Sequence, residues 1–234
     1  MNTYKNDNVK PCMKIKLTNT KPEIFESKVG GLGYIPHNGN FPVAEDGNQL
    51  RLLAQIDCRK IQLDEFPKTG LLQFWILNDE ISGLDFDNPT NQNTFRIIYY
   101  PEIDKTVTEE EIFEKFVKNE YDEEEYMPVF GEYSMDFDKS ENRYIDYCSD
   151  LSEEEWNENS GHKVGGYPYF TQTDPRNDEK LEKYDFLLFQ LDTDGYNGED
   201  RVMWGDSGIG NFFINSKKLK NLDFSDVLYN WDCC

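Results

Sequence analysis

One short segment carries residue types that could catalyse acyl transfer. The run RVMWGDSGIGNFFI, which begins at Arg201, contains GDSG, the tetrapeptide that surrounds the nucleophilic serine in one class of serine proteases. That chemistry needs a further glycine so that the oxyanion hole can form, and Ile209 stands in its place. It also needs a positioned histidine and a buried aspartate. We therefore interpret Asp206 and Ser207 as turn residues that bond to nearby backbone groups.

The two histidines do not add a recognisable catalytic context. His37 lies in a loop rich in Gly, Asn and Pro, and His162 directly precedes a repeated KVGG motif. The run DTDGYNGED, which begins at Asp192, resembles the start of a calcium loop but lacks the regular ligand pattern, so we predict a hairpin turn. The KVGG motifs have neither of the glycine spacings of phosphate-binding loops. We therefore expect no metal and no cofactor.

The sequence repeats itself. KVGGLGY begins at Lys28, and KVGGYPY begins at Lys163, 135 positions later. The same offset relates LLAQID, which begins at Leu52, to LLFQLD, which begins at Leu187. Farther along, GLLQFWI aligns with GIGNFFI at an offset of 138. Three matches in the same order predict an internal duplication, and missing such a repeat would lead to the wrong fold.

The repeat pairs residues that could line a shared groove between the halves. The pairs are Lys28 with Lys163, Tyr34 with Tyr169, and Trp75 with Phe213. A lysine beside aromatic rings could hold an anionic or amide-bearing group, although a lysine near a strand start often only extends its stem over apolar surface. Gln55 and Gln190 interrupt apolar runs at equivalent places. Because buried amides must be hydrogen-bonded, we predict that each glutamine ties its strand to neighbouring backbone, with a ligand contact as the alternative.

The pattern of β-branched and aromatic residues predicts a single α+β domain, predominantly β, over residues 1–234. Predicted strands cover 13–18, 50–57, 70–77, 94–101, 186–192, 201–204, 210–214 and 227–231. A capping box of Thr108 and Glu111 predicts a helix over 108–119, with Ile112, Phe113, Phe116 and Val117 on one face. Ser152 and Glu155 repeat that signature, and a short helix is predicted over 216–222.

These elements form two similar β-rich halves, about 27–101 and 161–234, which we expect to be related by approximate twofold symmetry. The connector, about 102–160, is predicted to be acidic and helical, with a loop pinned to the body between its helices. A cleft where the halves meet is the default position for a ligand site.

The charge is strongly negative and uneven. The net charge is -22, and residues 102–158 contribute 21 acidic and 5 basic residues. Such a field repels nucleic acid and anionic membranes, so we expect neither as a partner. One interpretation of the acidic segment is a solvated face. The other is a docking surface for a basic protein, with Glu123, Glu124 and Glu125 as the candidate contacts.

Five cysteines at scattered spacings are interpreted as reduced thiols rather than a disulfide framework. No apolar run is long enough to span a membrane and the N-terminus is polar, so the predicted location is the cytoplasm. The adjacent Cys233 and Cys234 favour a structural terminal strand, but a redox or metal role stays open, as does the oligomeric state.

Taken together, the motifs resemble the YwqG-like family, a bacterial family without an established activity. The matching runs include SKVGGLGYIP, FPVAEDGNQLRLLAQID, FPKTGLLQFWI, HKVGGYPYFTQTDPR, MWGDSGIGNFFI and YNWDCC, and they extend from Ser27 to Cys234. The resemblance implies a cytoplasmic, mainly β protein with two related halves. Members of the family are frequent neighbours of contact-dependent toxin genes, which implies an immunity or accessory role. It supplies no catalytic residues, and the N-terminal segment here is shorter than in many relatives.

Three functions remain after these exclusions. A non-enzymatic protein-binding module ranks first, because the sequence offers an acidic field and a repeat but no nucleophile, base and oxyanion donor together. The alternative is a small-molecule-binding protein or an enzyme that uses the cleft between the halves, with Asp192, Asp206 and Ser207 near its mouth. The third is a scaffold subunit, which would expose an apolar patch.

Overall fold

The computed structural model describes residues 9–119, 122, 126–145 and 152–233, and every structural statement below refers to these residues. The strands are β1 (Val9–Thr18), β2 (Lys28–Gly30), β3 (Arg51–Asp57), β4 (Leu71–Ile76), β5 (Phe95–Tyr100), β6 (Glu132–Arg143), β7 (His162–Gly165), β8 (Phe186–Asp192), β9 (Asp194–Tyr196), β10 (Glu199–Val202), β11 (Ile209–Ile214) and β12 (Val227–Asp232). The α-helices are α1 (Glu109–Glu114), α2 (Glu153–Trp156) and α3 (Ser216–Lys220). Single 3₁₀ turns cover Cys58–Lys60 and Pro175–Asn177. The described chain is therefore mostly β, as the sequence predicts.

Ten strands form one sheet in the order β12-β11-β8-β7-β1-β6-β2-β3-β4-β5, and β9 with β10 form a separate hairpin. Outward from the central pair β1 and β6, one side carries β2, β3, β4 and β5, and the other carries β7, β8, β11 and β12. The repeated motifs thus occupy matching places in the strand order. The internal duplication would produce this order, and both it and the twofold symmetry stay predictions.

The sheet curls until its two ends face each other across the main core. Ring centroids of Phe74 on β4 and Phe212 on β11 are 5.0 Å apart, and those of Phe95 on β5 and Tyr229 on β12 are 5.3 Å apart. The result is a nearly closed sheet with aromatic rings from both ends in one core. We call the gap between the edge strands β5 and β12 the seam.

Both faces of the outer strands are covered. Phe74 and Phe212 belong to the main core, whereas the adjacent residues Trp75 and Phe213 point to the other face and enter two separate smaller clusters. Every residue of β4 and β11 is consequently buried, which explains the near-continuous apolar runs of these strands.

The connector differs from its prediction. The segment interpreted as a loop contains β6, a strand of 12 residues at the centre of the sheet, which pairs with β1 from Val9↔Arg143 to Thr18↔Ser134. Acidic residues such as Asp136 and Asp138 conceal the strand from a propensity argument. They are tolerated because alternate side chains of β6 point outward and are more exposed than Met135.

Helix α1 is also shorter than predicted. Its predicted N-cap is confirmed, since Thr108 accepts a hydrogen bond from the Glu111 amide, but the helix ends at Glu114. Ile112 is buried, whereas Phe113 and Val117 are 65% and 60% exposed, so the predicted apolar face does not pack against the core as a unit. Helix α2 has the predicted capping box. No helix in the described parts of the chain combines the length and apolar character needed to cross a membrane.

Candidate functional site

The first repeat builds a closed polar network on the outer face of the sheet. Gln55 on β3 accepts from the amide of Tyr34 at 2.9 Å and donates to the carbonyls of Ile24 and Glu26 at 2.9 and 2.8 Å. Gln73 on the neighbouring strand donates to Tyr34 O and to Gln55 Oε1, both at 2.8 Å. These bonds fasten the loops on both sides of β2 to the sheet, which is a structural task.

The second repeat builds the same network with fewer bonds. Gln190 on β8 accepts from the Tyr169 amide at 2.9 Å and donates to the carbonyls of Asn159 and Gly161 at 3.0 and 2.7 Å. Asn211 on β11 donates to Tyr169 O at 3.0 Å. The predicted backbone-tying role of Gln190 thus has direct geometry behind it, as it has for Gln55.

One substitution between the halves leaves an acceptor without a donor. Trp75 Nε1 donates to Gln73 Oε1 at 3.0 Å in the first half. The second half has Phe213 and Asn211 at these places, and Asn211 Oδ1 is buried with no hydrogen-bond partner among the described residues. Phenylalanine has no N–H, which accounts for the loss.

The glycines of both KVGG motifs have backbone conformations that favour glycine. Gly30 and Gly31 both have φ of 68°, and Gly165 and Gly166 have φ of 73° and 74°. A Cβ atom on Gly30 would lie 2.0 Å from the carbonyl oxygen of Gly131. The motif therefore specifies a close backbone approach after β2 and β7.

The repeated lysines are both buried but have different surroundings. Lys28 is 1% exposed, and its Nζ lies 2.8 Å from Glu132 Oε1 and 3.0 Å from Leu32 O. Lys163 is 2% exposed and donates to the Asn159 carbonyl. No carboxylate among the described residues lies within ion-pair distance of Lys163. Burial lowers the pKa of Lys163 to about 7, an effect that Cys12 and Asp192 partly oppose.

Strand register explains the difference between the two lysines. Glu132 on β6 lies opposite Gly30, and Cys12 on β1 lies opposite Gly165. A buried thiol thus occupies the position next to Lys163 that corresponds to the carboxylate next to Lys28. Burial raises the pKa of the Cys12 thiol. The sequence gave no signal for either neighbour, because both lie on strands outside the repeat.

The structure does not bring the groove candidates of the two halves together. Tyr34 and Trp75 lie in one outer cluster with Phe41, whereas Phe213 lies in the other with Phe170. Seven of the eight paired candidates are buried: Lys28, Tyr34, Gln55, Trp75, Lys163, Gln190 and Phe213. Only Tyr169 is partly exposed.

Asp206 and Ser207 lie in an exposed turn before β11. Ser207 has φ of 92°, and the following amide of Gly208 donates to Trp204 O at 2.7 Å. The histidines are engaged elsewhere: His162 Nδ1 accepts from the Asp192 amide at 3.0 Å, and the ring of His37 contacts Glu111 and Thr106. The geometry is that of a turn, and the described residues place no histidine in contact with Ser207.

A groove of about 730 Å³ opens at the seam, at a junction of the two predicted halves. Its floor is the edge of β5, one wall is the segment Val43–Glu45, and the other wall is Leu222 with Phe224 and Ser225. Arg96, Gln92 and Asn93 complete the lining. Asp192, Asp206 and Ser207, which were predicted near the mouth of a cleft, are not among its lining residues.

A second candidate surface surrounds α1. The two exposed apolar side chains, Phe113 and Val117, lie in a segment that also carries Glu109, Glu110 and Glu114. We call these five residues the α1 surface. Glu109 pairs with Lys21 at 3.2 Å, whereas Glu110 and Glu114 form no ion pair with any described residue. The predicted partner contacts Glu123, Glu124 and Glu125 lie outside the described residues.

Metal binding finds no geometric support in the described residues, which contain no group of three or more His, Cys, Asp or Glu side chains suited to an ion. Cys12, Cys58 and Cys233 are free thiols, and the first two are buried. Burial raises the pKa of Cys58 to about 12, so this thiol is not activated as a nucleophile. Cys148 and Cys234 lie outside the described residues.

Comparison with known proteins gives a family but no activity. A search of curated proteins finds no match. The sequence model of one family, described as a domain of unknown function (DUF1963), matches residues 27–233. This range includes both KVGG motifs, the polar networks, the seam groove and the α1 surface. The chain therefore belongs to the DUF1963 family of domains of unknown function.

Proposed function

We propose that this chain is a non-enzymatic binding protein that docks onto a basic protein partner through the α1 surface. The observation that carries the proposal is the exposure of Phe113 and Val117, at 65% and 60%, beside glutamates without an ion-pair partner among the described residues. Large apolar side chains with a charged rim are typical of protein interfaces. The YwqG-like resemblance is consistent with the family match and, with a cytoplasmic location, belongs to this proposal.

The charge distribution supports a basic partner. Residues 102–158, which include the α1 surface, carry 21 acidic and 5 basic residues. Such a field accelerates association with a positively charged protein and becomes weaker as salt screens it. Glu123, Glu124 and Glu125 would extend the same acidic surface and remain candidate contacts. An immunity or accessory role against a basic toxin is one function of this kind.

The alternative, an enzyme or small-molecule-binding protein, has less support. Its predicted mouth residues Asp192, Asp206 and Ser207 do not line the seam groove, and Asp206 and Ser207 are exposed. Nothing else in the described groove pairs a nucleophile with a base. We therefore rank binding above catalysis.

Affinity capture from lysate of the native cell, at low and at high salt, tests the proposal. We expect the wild-type protein to retain one basic protein at low salt, and Phe113→Ser to lose it. A Glu110→Lys and Glu114→Lys double variant should lose it as well. Phe86→Ser is the matched control, because Phe86 is also exposed, at 74%, and lies between two aspartates. Retention that survives Phe113→Ser, or that Phe86→Ser abolishes equally, would refute the proposed surface.

A further inference from the structure

The two edge strands of the sheet are protected differently. On β12, the amide of Tyr229 donates to the carbonyl of Pro89 at 2.9 Å, so a backbone segment covers that edge. On β5, the amide of Ile97 donates to the side chain of Gln92 at 2.8 Å. A side chain therefore occupies a position on β5 where a neighbouring strand would place a carbonyl oxygen.

The direction of this bond fixes the orientation of the other backbone groups of β5. In an antiparallel pair, alternate residues direct their N–H and C=O groups toward the partner strand and away from it. Thr94 O accepts from Leu77 at 2.7 Å, so even-numbered residues face β4, whereas Ile97 faces outward. By the same alternation, the backbone groups of Phe95 and Tyr99 also face the groove. The floor of the groove is thus an open strand edge.

The walls of the groove match the alternating side chains of an added strand. On the side of the main core, Leu222 and Phe224 offer apolar surface. On the other side lie the charged groups Arg96 and Glu45, which form no ion pair with each other. Arg96 is held in place by a bond of 2.8 Å from its Nε to Gln92 O, and it pairs with no described carboxylate.

From this arrangement we infer that the seam groove binds an extended peptide segment, which adds to β5 as an antiparallel or parallel strand. Alternate peptide side chains would be apolar, facing Leu222 and Phe224. The intervening ones would be charged, with a carboxylate beside Arg96 and a cationic group beside Glu45. The peptide's backbone would replace the Gln92 side chain at Ile97 N–H and bond to Tyr99 N–H. This mode of recognition gains affinity from main-chain bonds and specificity from alternate side chains.

The site is separate from the proposed docking of a basic protein. None of the residues of the α1 surface lines the seam groove. The two inferences can therefore fail independently, and each supplies a control variant for the other.

Fluorescence anisotropy with short capped peptides, in which valine alternates with glutamate and lysine, tests the inference. We expect binding by the wild-type protein and a loss of about tenfold in Arg96→Glu, since a charge-assisted bond is worth roughly 1.5–3 kcal/mol. A peptide with lysine in place of the glutamate should recover affinity for Arg96→Glu. Phe113→Ser should bind like the wild type. Failure of every peptide to bind would overturn the inference.

Two further measurements separate strand addition from adhesion to an apolar groove. N-methylation of every second peptide residue should abolish binding in one phase and leave it unchanged in the other, because only one set of amides faces β5. The Tyr99 amide should become protected from hydrogen exchange when peptide is bound. Gln92→Ala should bind more tightly, as its side chain no longer competes. Equal sensitivity to both methylation phases, or an unprotected Tyr99 amide, would exclude strand addition.

Discussion

Replacement of Lys163 by methionine should make the protein more stable near neutral pH. The side chain is 2% exposed, has no described carboxylate at ion-pair distance, and has a pKa lowered by burial to about 7. Methionine fills a similar volume without a charge to desolvate. Lys28→Met is the matched control, because Lys28 occupies the equivalent place in the first half but contacts Glu132 at 2.8 Å.

The magnitude follows from the shift. A fall from 10.5 to about 7 corresponds to about 5 kcal/mol when Lys163 is fully protonated, and to about 4 kcal/mol at pH 7. The realised gain is smaller, about 1–3 kcal/mol, since the bond to Asn159 O is lost and buried charges are partly relieved by relaxation. Lys28→Met should instead lose about 1–3 kcal/mol, because it leaves Glu132, whose side chain is 21% exposed, without its partner.

The pH dependence has a defined sign. The folded pKa of Lys163 lies below the unfolded value, so the unfolded chain binds more protons above about pH 7, and the free energy of unfolding rises with pH. Between pH 7 and pH 8 the gain from this group is about 1 kcal/mol. The other groups near Lys163 titrate outside this window or keep their charge: the pKa of Cys12 is raised from 9.0, that of Asp192 is raised from 3.8, and Lys14 is a lysine on the exposed face.

Urea unfolding of the wild type, Lys163→Met and Lys28→Met at both pH values measures these effects. We expect Lys163→Met to be more stable at pH 7 and to show a flatter change between pH 7 and pH 8 than the wild type. A Lys163→Met variant that is destabilised as much as Lys28→Met, with the wild-type pH dependence retained, would refute the reasoning.

Two further predictions concern the repeated motifs. Gly30→Ala should cost several kcal/mol, because its Cβ would lie 2.0 Å from Gly131 O, whereas Gly47→Ala, with φ of 88° but open space around the Cβ, should cost about 1 kcal/mol from strain alone; equal losses in thermal unfolding would contradict the close approach. Gln55→Ala should cost about 2–4 kcal/mol, because it strands the Tyr34 amide and two carbonyls beside β2. Gln92→Ala, at a solvent-accessible amide, is the control for the second change, and similar denaturation midpoints would show that the buried network is dispensable.

Local signals in the sequence were sufficient for many elements. The strands β3, β4, β5, β8 and β11 follow from β-branched and aromatic runs. The caps at Thr108 and Ser152 follow from the spacing of a hydroxyl and a glutamate, which bond within one helical turn. The roles of Gln55 and Gln190 follow from an amide inside an apolar run. In each case the physical cause lies within a few residues of the chain.

The strand β6 and the exposure of Phe113 do not follow from local pattern. β6 is rich in acidic residues, and it forms because β1 and β2 provide hydrogen-bonding partners on both sides. Phe113 belongs to an amphipathic pattern that would normally pack inward, but α1 ends at Glu114 and buries only Ile112. Propensity and periodicity describe what a segment can do, and neighbouring elements decide which option is adopted.

By itself, the sequence determined the mostly β class, the position of the repeats and the need for glycine after β2 and β7, because these depend on backbone sterics and on the pattern of apolar residues. Only the tertiary structure decided that Lys28 has a carboxylate neighbour and Lys163 a thiol, that the curled sheet leaves a groove along β5, and that Phe113 stays exposed. Each of these depends on which residues distant in sequence are brought together, and pairing across a sheet is set by register rather than by local composition.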